Sequence, residues 1–176
     1  MKQLMFMVLF LMLSMGARVH AELGENLKAV TTDGRQVRLN SDNTWEFIEF
    51  VAGEPSNSAV LKVTQIWEMQ DACKLQFRMQ NNLGYKLHAL VPRFSIILEG
   101  DIVYDTPSIS FTSIMPTKSE FTELQISGIG CHQISHFKMI DAARCRMGDI
   151  DQWNEEDGQC LSHIYIEPSE ELNISK

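Results

Sequence analysis

No G-x-S-x-G, no P-loop and no G-x-G-x-x-G occurs anywhere in the chain. A nucleophile elbow, a phosphate cradle and a dinucleotide fold therefore have no support, and no cofactor is implied. C-x-x-C is absent too, and no two cysteines stand closer than Cys131 and Cys145. The short spacing that lowers one thiol's pKa in a redox pair is missing. There is no run of five basic residues, and acids outnumber bases by 23 to 15. A chain with that balance repels nucleic acid and anionic lipid, so neither is an expected partner. After the first residues no long uncharged apolar stretch recurs.

That first stretch reads MKQLMFMVLFLMLSMGARVHA. Lys2 precedes an uncharged run from Leu4 to Met15, and Val19-His20-Ala21 puts small residues at −3 and −1. This is the layout of a secretory signal peptide cleaved after Ala21. The run is about 12 residues, short of the roughly 20 that a spanning helix needs. No cysteine marks a lipid-anchored cleavage site, so no membrane anchor is expected after cleavage. Removing residues 1–21, with Lys2 and Arg18, takes the net charge from −8 to −10. The expected location is periplasmic or secreted. About 155 residues remain, enough to bury roughly 70% of their unfolded surface in one main domain.

The four cysteines, Cys73, Cys131, Cys145 and Cys160, all lie beyond the signal. An even count in an exported chain points to disulfides. Of three possible pairings, the expected one closes Cys145–Cys160 as a local loop and Cys73–Cys131 as a long-range staple.

Residues 22–51 form a first unit. Asp33-Gly34 is a two-residue hairpin signal, and Ser41-Asp42-Asn43 marks a second turn. Between them Val37 and Leu39 alternate with polar residues; Trp45 and Phe47 follow. The pattern predicts a three-stranded β-meander, too small to be stable by itself. Residues 52–59, AGEPSNSA, read as a linker.

Residues 60–176 carry the main domain. Leu61, Val63, Trp67 and Met69 are expected on one strand face, with Trp67 in the core. Cys73, Leu75, Phe77 and Met79 alternate with Lys74, Gln76, Arg78 and Gln80, a half-buried strand of period 2. Phe94, Ile96 and Leu98 repeat the pattern, Glu99-Gly100-Asp101 turns, and Ile102 and Tyr104 return. SISF, FTELQISG and LSHIYIEP supply further strands, IMPTKSE (114–120) a loop. One short helix is expected within 147–158 or 132–142. Many strands with turns between them predict an all-β sandwich or barrel.

FRMQNNLGYKLHALVPRFSIILEGDIVYD, followed by FTSIMPTKSEFTEL, resembles the FxLYD kind of immunoglobulin-like β-sandwich domain over residues 60–127. Those domains run strand, Asn-rich turn, alternating strand, Gly turn and Pro-marked loop before a long strand. Phe94-Ser95-Ile96-Ile97-Leu98 stands where the family has Phe-x-Leu-Tyr-Asp. The resemblance implies an extracytoplasmic, non-catalytic domain and transfers no active-site residue.

GCHQISHFKMIDAARC (130–145) holds two histidines between two cysteines. On a strand, His132 and His136 would stand about 13 Å apart, too far to share a zinc ion. On a helix they would be about 6 Å apart, but no Glu follows His132 as H-E-x-x-H requires. No metal site is expected there. Asp149, Asp151, Glu155, Glu156 and Asp157 could offer oxygens to calcium, but the EF-hand register fails at Trp153 and Asn154. His132 or His163 could serve a small periplasmic hydrolase only with a serine or acid that the spacing does not supply. Trp45 and Trp153 are the candidate partner contacts, since aromatic anchors dominate interfaces. The reading is a non-catalytic binding or structural module of the cell envelope, touching another envelope protein. A cation-binding module using loop 149–157 and the small hydrolase are the alternatives.

Overall fold

A computed structural model describes residues 27–31, 36–47, 53–155 and 158–176. The signal-like stretch, the Asp33-Gly34 turn and the acids Glu156 and Asp157 lie outside the described residues.

The first three strands are β1 (Leu27–Val30), β2 (Gln36–Leu39) and β3 (Trp45–Phe47). They form a separate antiparallel sheet in the order β1-β2-β3. Its second turn is fixed by Asp42, whose carboxylate accepts from the Thr44 N–H at 2.9 Å and the Thr44 hydroxyl at 2.5 Å. Those two bonds hold the Asp42 carboxyl below its ordinary value.

Pro55–Asn57 makes a 3-10 turn, and Asn57 and Ser58 are buried. The expected linker therefore ends inside the main body, where β4 (Ala59–Met69) already begins at Ala59. It is followed by β5 (Ala72–Asn81), β6 (Leu87–Leu98), β7 (Ile102–Asp105), β8 (Phe111–Ile114) and β9 (Ser119–Ser127). Next come β10 (Ile134–Met147), β11 (Ile150–Glu155), the single-turn helix α1 (Gln159–Ser162), β12 (Ile164–Ile166) and β13 (Ile174–Ser175). One sheet runs β12-β4-β5-β9; the other runs β11-β10-β6-β7, with β8 also on β6 and β13 on β10.

The two sheets face each other across one core. Cys73, Leu75, Phe77 and Met79 are wholly buried, as their alternation in β5 requires. Phe77 reaches across to Phe94 of β6 and Phe137 of β10, at 5.8 and 5.7 Å between ring centroids, and those two rings meet at 4.7 Å. Each buried aromatic of this kind contributes about 1.5–3 kcal/mol. The protein is thus all-β, and its main body from β4 onward is a pair of sheets closed by two disulfides, Cys73–Cys131 and Cys145–Cys160. Such bonds form and persist in oxidising compartments.

Two expectations need correction. Trp67 is not in the core. The register of β4 on β5 slips between Val63 and Gln65, so Ile66 takes the inward place and Trp67 turns out opposite Lys74. One residue of slip exchanges the two faces. The helix expected in 147–158 or 132–142 is also absent among the described residues: both stretches are mostly strand, β10 and β11, and the one α-helical turn described sits at Gln159–Ser162.

Candidate interaction surfaces

The meander is two-faced. Its register aligns Leu27 with Leu39 and Leu39 with Trp45, then Ala29 with Val37 and Val37 with Phe47. Period 2 puts all six on one face. Arg38 and Glu46 stand opposite each other on the other face and form an ion pair at 3.2 Å. Trp45 and Phe47 meet edge to face at 5.1 Å, and Trp45 remains 58% exposed. Val37 is buried, while Leu27, Leu39 and Phe47 stay exposed.

Trp153 sits on β11 opposite Arg144 of β10, not in a loose acidic loop. The Arg144 guanidinium lies 4.4 Å from the indole centroid and pairs with Asp151. Its Nη1 donates to the Gln152 carbonyl at 2.8 Å. The cation is held by carboxylate and carbonyl, so the indole rests on a fixed plate while staying 73% exposed. Arg144 is the residue that sequence reasoning missed; its only signal was its place across the hairpin from Trp153. Asp151 also lies 3.7 Å from Arg146, so its charge is already met by two cations. Among the described residues no group of three or more His, Cys, Asp or Glu could hold a metal ion.

The histidines serve separate local structures. His132 and its backbone N–H both meet Glu68, at 3.1 and 3.3 Å. The Glu68 carboxylate packs close over Gly130, 2.2 Å from where a Cβ would stand, so a side chain there would push the Glu68 and His132 ends aside. These contacts fix the 3-10 turn Cys131–Gln133 that carries one end of the long disulfide. His136 on β10 accepts from the Asn173 amide at Nδ1, 2.9 Å, and its Nε2 faces the Ser175 hydroxyl at 2.8 Å. It thereby fastens β13 to the sheet edge. His163 lies against α1, its Nδ1 3.0 Å from the Gln159 carbonyl and 3.1 Å from the Ser162 hydroxyl. The Ser162 hydroxyl donates to that same carbonyl at 2.6 Å. Trp45 and Trp153 stand on different sheets.

Among the described residues no helix is long and apolar enough to cross a membrane. No protein-family model matches the chain, and no curated protein sequence matches it. Among solved structures, the IrmA protein of Escherichia coli is similar at 14% identity, over 68% of this chain and 98% of that one, with a TM-score of 0.48.

Proposed function

We propose that the protein is an exported, non-catalytic module of the cell envelope that acts by contact with another envelope protein. The observation that carries this reading is the pairing of two disulfides with two solvent-facing indoles, Trp45 and Trp153, each held by an ordered neighbour. Exposed, preorganised aromatics are what partner surfaces use as anchors.

The reading includes an immunoglobulin-like arrangement of the main domain. What supports it is strand order: β4, β5 and β9 stand as strands A, B and E of that fold, and β11, β10, β6 and β7 as G, F, C and C′. The long disulfide runs from the B-like strand to the turn entering the F-like strand. The FxLYD-like wording of residues 60–127 fits the same reading. The expected signal peptide of residues 1–21 supplies the route out of the cytoplasm.

The test is a photo-crosslinking residue placed at Trp45 or at Trp153 in the full chain, expressed in cells and followed by fractionation. The expected result is oxidised protein outside the cytoplasm with one discrete crosslinked species from at least one position. Reduced protein in the cytoplasm, or no crosslink from either position, would overturn the reading.

A further inference from the structure

The four-stranded sheet ends at β9, a regular strand paired with β5 from Gln80–Ser119 to Ala72–Ser127 without a register slip. In an antiparallel pair, alternate residues turn both backbone groups toward the partner. Two bonds fix which ones do so here. The Asn81 N–H donates to the Lys118 carbonyl at 2.9 Å, and the Gly128 N–H to the Asp71 carbonyl at 2.7 Å. Even-numbered residues therefore face β5. Ser119, Phe121, Glu123, Gln125 and Ser127 turn their N–H and C=O groups outward. The Tyr104 hydroxyl donates to the Ser127 carbonyl at 2.8 Å, as that parity requires. Near the other end the Glu120 carboxylate accepts from the Thr112 N–H at 2.7 Å. The edge is thus bounded at both ends, and among the described residues an outward ladder remains at Phe121, Glu123 and Gln125.

The flank beside this edge is both apolar and acidic. Ile102, Val103 and Tyr104 on β7 and Phe121 on β9 are exposed, Ile102 at 61% and Phe121 at 56%. Over residues 98–127 the charges are Glu99, Asp101, Asp105, Glu120 and Glu123 against Lys118 alone. Lys74 reaches Glu123 from β5 at 2.7 Å, on the outer face. Native edges are usually blunted by charged side chains, above all lysine, by proline or by a bulge; β9 has no lysine, proline or bulge, and its only charges are Glu120 and Glu123. In the immunoglobulin order a fourth strand would continue the sheet past the place that β9 occupies.

We propose that β9 accepts an extended segment of a partner protein as an added strand along Phe121–Gln125. The segment alternates apolar and basic residues. Its apolar positions enter the gap that Tyr104 bridges, and its basic positions meet the Glu123 side of the edge. Main-chain bonds supply the affinity and the alternating side chains the selectivity. The proposal rests on the contact-module reading above and names one of its surfaces.

The test uses the full-length oxidised protein and a synthetic peptide alternating valine and lysine, as long as β9, beside a valine–glutamate control. At a peptide concentration about ten times Kd, hydrogen exchange at the Phe121, Glu123 and Gln125 amides should slow about tenfold. The valine–glutamate peptide should not bind, and added salt should weaken the lysine peptide. Gln125→Pro removes an outward N–H without touching the β5 ladder, so binding should fall at least about tenfold. If that variant does not fold, the wild-type exchange pattern decides. Unchanged exchange at the three amides, equal binding of the two peptides, or undiminished binding by folded Gln125→Pro would overturn the proposal. If the peptide fails while crosslinks at Trp45 or Trp153 persist, the edge proposal falls and the contact-module reading stands.

Discussion

Asn81 is wholly buried at the end of β5, and every polar atom of its side chain is engaged. Its amide donates to the Tyr85 and Ile114 carbonyls, both at 2.9 Å, and its oxygen accepts from the Leu83 N–H at 3.0 Å. Alanine would leave the buried Ile114 carbonyl and Leu83 N–H, and the half-buried Tyr85 carbonyl, without that partner. Asn81→Ala should therefore lose about 2–4 kcal/mol in urea unfolding, seen as a lower midpoint at unchanged slope. Tyr85 gives a pH signature nearby. Burial, and then the negative charge of Asp149, push its phenol from 10.0 up to about 12. The fold prefers the neutral form, so this contribution is fully present below pH 10. It is lost as pH rises toward about 12. An absorbance titration of tyrosinate should show one group ionising near 12, missing from Tyr85→Phe. The turn at Asn81-Asn82 is where the resemblance of residues 60–127 implies an Asn-rich turn. That Asn81 anchors it from inside was not legible in the sequence, because burial depends on which strand covers it.

Among the elements, β5 was the most legible: its ladder with β9 is unbroken, and the slip on its other side adds a residue to β4 and none to β5, so period 2 in β5 stays intact. The slip in β4 left no mark in composition, and it alone sent Trp67 outward. β10 was obscured for a similar reason. Its register on β6 shifts at four places, so inward residues recur at uneven intervals and blur into a helical spacing. The edge character of β9 could not be read at all, since a strand's neighbours are set by sheet order and not by its own residues. The disulfides act at this scale. Cys73–Cys131 spans 58 residues and ties β5 to the turn entering β10; Cys145–Cys160 spans 15 and ties β10 to α1. In the chain-entropy view the long loop contributes about 4 kcal/mol and the short one about 3. Paired alanine variants should show that order of loss in unfolding midpoints, with the Cys73/Cys131 pair the more damaging. An equal or reversed order would mean that packing of the sulfurs outweighs loop closure.

At the scale of the molecule, the acidic balance, the cysteine count and the strand pattern were enough to read an all-β, disulfide-closed chain. The candidate contacts were legible only as residue types: Trp45 and Trp153 stood out as aromatics. Their exposure depends on pairings across turns, such as Arg144 beneath Trp153. An exported contact module closed by two disulfides has to assemble this sheet pair after export, where thiols oxidise. The direct test is denaturing mass spectrometry of the protein recovered from cells expressing the full 176-residue chain. The expected mass is that of residues 22–176, lowered by four hydrogens for two disulfides. A mass retaining residues 1–21 with four free thiols would contradict an exported contact module.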